Sequence, residues 1–251
     1  MTANKELRVV YVTSGIDELV QQFHSMPGVP VAILEITDRD IAQTFRVAAR
    51  SIASRIWPQR YPDLSRYCKK HGIQHIAFPK VRRSVLHETV NALNVDLLVS
   101  YRSPFLPMDA INAARLGGIN VHFSVLPDYR GGDPLLWQVL HGEENAGVTV
   151  HKLTDKIDYG VMLEQDTVKR TLNLDRTELR QFVNSNLSQR LLHNAIAKLQ
   201  NGTAVWSEQA EIDNPIPAPN THAQFWRQYI EENSLSDAHI QDIKCFVGEG
   251  N

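Results

Sequence analysis

The chain has 251 residues, 43% hydrophobic and 22% charged, ordinary values for a folded domain that exclude a disordered or fibrous chain. Lys and Arg number 26 against 28 Asp and Glu, a formal net charge of −2, so no overall basic field gathers phosphate backbones and nucleic acid is not an expected partner. Two cysteines, Cys68 and Cys245, stand far apart with no Cys-x-x-Cys pair, which gives neither a disulfide framework nor a zinc site.

The opening residues lead directly into a short apolar run, without the longer stretch and cleavage site of a signal peptide. No apolar run approaches the roughly 18 residues of a membrane span. The expectation is a cytoplasmic protein with reduced thiols and no membrane partner.

Short β-rich runs then alternate with stretches of helical period. Strands are predicted over Leu7–Thr13, Pro30–Ile36, Ile73–Phe78, Asp96–Tyr101 and Ile119–Phe123, and helices over Asp17–His24, Ile41–Arg50, Leu64–His71, Ser84–Asn94 and Met108–Arg115. That alternation reads as an α/β fold with a doubly wound, Rossmann-like parallel sheet. A turn-rich segment from Pro127 to Pro134 precedes a predicted helix over Leu135–His141. Two further strands, Gly147–Leu153 and Val161–Val168, flank a loop running from Thr154 to Gly160. A long helix over Asp175–Gln200 is marked by Asp175 at its start and Asn201-Gly202 at its end. The prolines between Asn214 and Asn220 read as a linker, and a polar helical tail runs from His222 to Phe246. The expected organisation is a catalytic domain over residues 1–208 and a linker with a short helical C-terminal tail over 209–251.

Several features have plain readings. The first β–α turn holds one glycine, Gly15, in place of Gly-x-Gly-x-x-Gly, so Ser14 and Gly15 read as a simple turn and NAD is not expected. His71 and His75 are four apart, but Gly72 ends the helix between them, so they read as surface histidines and no metal is expected. Lys80, Arg82 and Arg83 read as a solvated charge group, and Trp57, Trp137, Trp206 and Trp226 as packing.

The informative stretch is Gly118-Ile-Asn-Val-His-Phe-Ser-Val-Leu-Pro-Asp-Tyr-Arg-Gly-Gly132. On a strand, residues i and i+2 share a face, so Asn120 and His122 stand side by side while Ile119, Val121 and Phe123 face the other way. An amide donor beside an imidazole at the C-terminal end of a strand suits a developing oxyanion. An imidazole moving protons needs a carboxylate to set its tautomer. Asp158, just before Gly160, is the best candidate, with Asp155 competing in the same loop. By itself this trio reads equally as a buried histidine satisfied by its neighbours.

The surrounding residues decide between the two. Asn120-Val-His122, Ser124-Val-Leu-Pro127, Tyr129-Arg-Gly-Gly132, Gly147-Val-Thr-Val150 and Asp158-Tyr-Gly160 occur in this order. Over roughly residues 7–206 the chain resembles the formyltransferases that use 10-formyltetrahydrofolate, with Val125 replacing a frequent leucine. The resemblance implies the formyltransferase fold and the catalytic residues Asn120, His122 and Asp158. It also implies folate contacts from Tyr101, Phe105, Leu106, Asp155 and Ile157, substrate contacts from Arg130 and Gly132, and 10-formyltetrahydrofolate as cosubstrate. In the implied reaction Asn120 and protonated His122 hold the formyl oxygen while an amine attacks, and Asp158 assists proton transfer.

Within that family the acceptor is less visible. Initiator-tRNA enzymes carry an extra C-terminal domain and a basic surface, and only about 45 residues follow Trp206 here. Glycinamide-ribonucleotide enzymes share the Thr149-Val-His151 segment, yet hold a phosphate with a Gly-Ser-Asn turn that Ser14-Gly-Ile-Asp-Glu18 lacks. The sugar N-formyltransferases fit Tyr129-Arg-Gly-Gly132 and the short tail best. The expected partner is therefore a small-molecule amine, an amino sugar or sugar nucleotide, with a homodimer possible. A folate hydrolase and a non-catalytic folate-binding module are the alternatives.

Overall fold

In a computed structural model of the chain, residues 6–16, 19–37, 64–79, 85–213, 215–218 and 224–249 are described. The predicted helix over Ile41–Arg50, the Lys80, Arg82 and Arg83 group and Trp57 lie outside them.

The elements in chain order are β1 (Arg8–Thr13), β2 (Val29–Thr37), α1 (Leu64–His71), β3 (Gln74–Pro79), α2 (Leu86–Ala92), β4 (Leu97–Ser100), α3 (Met108–Ala113) and β5 (Gly118–His122). Then come β6 (Arg130–Gly131), α4 (Pro134–Leu140), β7 (Asn145–Lys152), β8 (Met162–Lys169), α5 (Arg176–Val183), α6 (Gln189–Asn201), β9 (Pro217–Ala218), α7 (Phe225–Glu232) and α8 (Asp237–Val247). Seven strands form a mixed sheet in the order β3-β2-β1-β4-β5-β7-β8, and β6 pairs separately with β9. Contacts divide the chain into two compact units, Met1–Asn120 with Ile196–Thr203 and Val121–Ala195 with Ala204–Asn251.

In the first unit, β3, β2, β1, β4 and β5 are all parallel. Strands covered on both faces need continuous apolar runs. Val9, Val10, Tyr11 and Val12 of β1 and Leu97, Leu98 and Val99 of β4 supply them and are fully buried. The chain reverses direction of winding between β1 and β4, the switch point at which open α/β sheets bind ligands beyond their strand ends. The first turn there is self-satisfied. Ser14 donates its N–H (3.2 Å) and its Oγ (2.6 Å) to the Arg102 carbonyl, and the Gly15 N–H reaches Thr13 Oγ1 at 3.3 Å.

Two sequence expectations in this unit are corrected. The first predicted helix is a 3₁₀ helix, Val20–Ser25, because Val20 and Phe23, three apart, are its buried residues and that spacing aligns in a 3₁₀ turn. His75 is not a surface histidine but bonds Glu35 at 2.9 Å, both side chains largely covered. His71 stacks on His24 with ring centroids 3.9 Å apart.

In the second unit, β7 and β8 form an antiparallel hairpin. The long predicted helix starts at a capping box between Asp175 and Glu178, but it is interrupted by a π-helical turn over Asn184–Ser188 before continuing as α6. The single predicted tail helix is two, α7 and α8, and Ser236 caps the second. Both pack within this unit. Ile243 and Phe246 are buried, Phe225 meets Trp137 at 5.2 Å between centroids, and His239 Nε2 bonds the Val139 carbonyl at 2.8 Å. Asp242 is buried with Arg170, Nη1 to Oδ2 2.7 Å, and also accepts the Asn173 N–H at 2.6 Å.

Within the proline cluster, Pro217–Ala218 form β9. Residues 216–218 lie along 129–132: Tyr129 N–H donates to the Ile216 carbonyl (2.5 Å), Gly132 N–H to that of Ala218 (2.7 Å), and Ile216 N–H to Asp128 Oδ1 (2.9 Å). Pro215 and Pro217 lack an N–H, but the pairing draws on carbonyls, so proline is tolerated.

Candidate active site

The C-terminal end of β5 carries the candidate residues Asn120 and His122. Asn120 pairs with Ser100 of β4 in the parallel register and is half-buried, while His122, two residues on, is buried. Strand alternation puts the two side chains on one face.

In the second unit His122 meets Asp158. Its Nδ1 lies 3.5 Å from Asp158 Oδ2, and its Nε2 lies 2.8 Å from the Tyr129 carbonyl. A carbonyl only accepts, so the ring carries a proton on Nε2. In neutral His122, Nδ1 is therefore the basic nitrogen.

A second imidazole faces the other carboxylate oxygen. His151 Nε2 is 3.4 Å from Asp158 Oδ1, and its Nδ1 bonds the Lys152 carbonyl at 3.0 Å. Both rings are thus tied outward to backbone carbonyls and turn their remaining nitrogen to one carboxylate. Gly131 N–H completes the set, donating to Asp158 Oδ2 at 2.9 Å.

The electrostatics follow from this packing. Burial pushes the His122 imidazolium below the usual histidine range, and the nearby Asp158 charge only partly offsets it. Burial of Asp158 disfavours its charge. The hydrogen bond from His151, the two imidazoles and the Gly131 N–H outweigh that and hold the carboxyl below its ordinary value. The resting site is an ionised acid beside a neutral His122.

Local sequence explains the assembly. Gly147, Thr149 and His151 alternate along β7. A Cβ on Gly147 would fall 2.8 Å from the Val125 nitrogen, so only glycine admits the Ser124–Pro127 loop. Thr149 Oγ1 donates to the Ser124 carbonyl at 2.7 Å and accepts the Leu126 N–H at 3.2 Å. Tyr129 and Asp158 have φ of 60° and 59°, in the left-handed region. Such backbone persists where surroundings over-determine it, and it concentrates at functional sites.

The other predicted residues separate by environment. Of the two acids of the loop, Asp155 is exposed and Asp158 buried. The Arg130 guanidinium stacks over the Tyr159 ring at 3.7 Å and bonds Gln209 and the Asp158 carbonyl. Gly131, not Gly132, contacts Asp158, whereas Gly132 serves the strand pairing. Ile157 is exposed in the second unit. In the first unit Phe105 is exposed, while Tyr101 and Leu106 are buried. Sequence reading assigned no role in the acid's environment to His151 or Gln209. The Thr149-x-His151 alternation was the available signal for the first, and nothing marked the second.

Comparison with known proteins gives the family. The formyl transferase family model matches residues 17–196, most of the chain. The chain belongs to the formyl transferase family. It is 36% identical to the methionyl-tRNA formyltransferase of Staphylococcus epidermidis over 109 residues, 43% of this chain and 35% of that protein. The match therefore spans about a third of that relative's length. The fold resembles glycinamide ribonucleotide transformylase 1 from Symbiobacterium toebii, with a TM-score of 0.62 and 20% identity, covering 80% of this chain and 90% of that one. It also resembles a sugar N-formyltransferase from Shewanella sp. FDAARGOS_354, TM-score 0.57 and 14% identity, covering 95% and 87%. The formyl transferase family moves formyl groups with 10-formyltetrahydrofolate. Among the described residues, no helix is long and apolar enough to cross a membrane.

Proposed function

We propose that the protein is an N-formyltransferase that moves the formyl group of 10-formyltetrahydrofolate to a primary amine of a small molecule, an amino sugar or nucleotide-linked amino sugar. The observation that carries this reading is the buried Asp158 carboxylate set between His122 and His151. Phe105 and Ile157, each exposed, are kept as folate contacts on the strength of the family resemblance. Tyr101 and Leu106 back the loop of Phe105, and Asp155 offers a polar contact on that of Ile157.

The bound folate supplies an activated formyl carbon. Asn120 donates to the formyl oxygen as it gains negative charge. His122 begins neutral, since burial disfavours its cation, so its Nδ1 takes the proton the attacking amine must lose. The imidazolium so formed is stabilised by Asp158 and strengthens the hold on the oxyanion. When the bond to the folate nitrogen breaks, His122 returns the proton to that nitrogen, leaving a formamide and tetrahydrofolate. This order differs from the sequence expectation of a protonated His122 at the outset, and the reason is desolvation.

The acceptor reading draws on the net charge of −2 and on Tyr129-Arg-Gly-Gly132. Likeness to a methionyl-tRNA formyltransferase favours a second acceptor, a charged tRNA. Incubation with 10-formyltetrahydrofolate, with tetrahydrofolate release followed by absorbance, separates the possibilities. Release only with nucleotide-linked amino sugars supports the proposal. Release with glycinamide ribonucleotide or methionyl-tRNA replaces the acceptor, release without amine indicates a hydrolase, and binding without release a folate-binding module. A cytoplasmic location and a homodimer belong to the same proposal.

A further inference from the structure

Gln209 follows the Met162–Ser207 bridge and stands outside every helix and strand. Its side-chain amide is used on both ends. Nε2 donates to the carbonyls of Asp158 and Gly160, each at 2.8 Å. Oε1 accepts from Arg130 Nε at 3.2 Å and from Arg130 Nη2. Arg130 Nε also reaches the Asp158 carbonyl, 3.3 Å away, with its guanidinium carbon 3.7 Å from the Tyr159 ring centroid.

One side chain thus brackets the backbone on both sides of Tyr159 and ties it to β6, whose Gly131 N–H holds the Asp158 carboxylate. Asp158 needs this support. A left-handed residue that is not glycine costs roughly 1–2 kcal/mol and relaxes unless its neighbours prevent it. Without the bracket, the carboxylate can swing away from His122 and His151. An uncharged amide is the chemistry that can give two hydrogen bonds and accept two at once. A glutamate at this position could not donate, and an asparagine is one methylene short.

We infer that Gln209 is a positioning residue for Asp158, holding it in the conformation that faces both imidazoles. Its catalytic meaning rests on the formyl-transfer reading, whereas its structural effect can be measured without activity.

The test uses Gln209→Ala and Gln209→Met in the full chain, with Met keeping the length and packing of the side chain while removing every hydrogen bond. Aspartate labelled with 13C at Cγ reports the titration of Asp158, assigned by its loss in Asp158→Asn. In both variants the Asp158 titration rises by about half a unit or more, since the interactions that depress it loosen. Where an acceptor is turned over, kcat falls about tenfold or more while KM stays within about threefold, the signature of a misplaced group rather than lost binding. An unchanged Asp158 titration in folded Gln209→Ala overturns the proposal, even if its Tm drops. So does wild-type behaviour of Gln209→Met, which would assign the role to packing. If the wild-type protein turns over no acceptor, the formyl-transfer reading fails and the titration still decides the role of Gln209.

Discussion

His151 stands against Asp158 with Nε2 3.4 Å from Oδ1, on the carboxylate oxygen that His122 does not face. One buried acid therefore serves two imidazoles, and each ring's other nitrogen is spent on a backbone carbonyl. The arrangement can hold a proton among three groups without exposing any of them to water.

Removing members of that trio separates their roles. His122→Ala and Asp158→Asn are expected to lower kcat by roughly 100-fold or more, as for a lost proton-transfer group. Asn120→Ala is expected to cost about 2.7–4 kcal/mol of transition-state stabilisation, like a lost oxyanion donor. His151→Gln, which acts through Asp158, is expected to cost less, about tenfold. Steady-state kinetics of the four variants with the best acceptor checks the order, and wild-type kcat in any one removes that residue from the scheme.

Acid should destabilise the fold through this same cluster. His122 and Asp158 both have folded pKa values below their unfolded ones, so below the ordinary histidine value of about 6.5 the unfolded chain binds more protons than the folded one. Their contribution is complete above that pH, shrinks for His122 as pH falls beneath it, and is lost for Asp158 further down, below the ordinary carboxyl range. A His122→Gln variant is expected to show a flatter fall in Tm between pH 7 and pH 5, about the ordinary histidine range, when both are followed by thermal denaturation. An identical slope would remove His122 from the acid response. With a neutral His122 as base, the acid limb of kcat is likewise expected beneath the ordinary histidine pKa.

Gly160 admits no side chain. A Cβ there would overlap the Lys152 carbonyl oxygen and lie 2.7 Å from its carbon. That carbonyl also accepts from His151 Nδ1. Gly160→Ala is therefore expected to displace His151 as well as the loop, costing about 1–3 kcal/mol of stability by forced backbone shift and reducing kcat at least as far as His151→Gln. Urea unfolding together with kcat tests this, and unchanged values in both would contradict the geometry.

The tail is held by a buried ion pair. Arg170 and Asp242 are both nearly inaccessible, and Arg170 also donates to the Glu143 carbonyl at 2.9 Å. Asp242→Ala leaves an uncompensated guanidinium and is expected to destabilise the second unit by about 3–5 kcal/mol. A loss under about 1 kcal/mol in chemical denaturation would show that the pair contributes little, as exposed pairs do.

Tyr129 joins the tail to the Asp158 cluster. Its hydroxyl donates to Glu143 Oε1 at 2.6 Å and meets His141 Nδ1 at 3.1 Å, and burial with the Glu143 charge drives its phenol pKa upward. Rings of Trp137, Phe225 and Tyr229 continue this cluster onto α7. Tyr129→Phe is expected to lose about 1 kcal/mol of stability and to lower kcat only modestly, since the carbonyl that binds His122 remains. A kcat loss as large as that of His122→Ala would instead place the hydroxyl itself in the chemistry.

Local pattern carried a long way in this chain. Short, continuous β-rich apolar runs marked β1 and β4, and the span Leu64–His71 was legible from its helical period because an isolated amphipathic turn records its own buried face. Asn120 and His122 were legible as a pair because strand alternation is a property of consecutive residues. The π-helical turn in the long helix and the break between α7 and α8 were not, since each depends on what the helix packs against.

The contacts around the buried Asp158 join residues far apart in sequence. Asp158 and Asp155 share one loop and one chemistry, and Asp158 is the one buried, against His122 and His151. Gln209 and the prolines near 217 carry no local sign of use, because a side-chain amide or a strand carbonyl takes its partner only when the chain has returned. Spacing set Asn120 beside His122, and the family resemblance added Asp158 to them as candidate groups. Their distances, their charges and the residues that hold them in place came from tertiary packing, which sets desolvation and hydrogen bonding across segments that no short window of sequence contains.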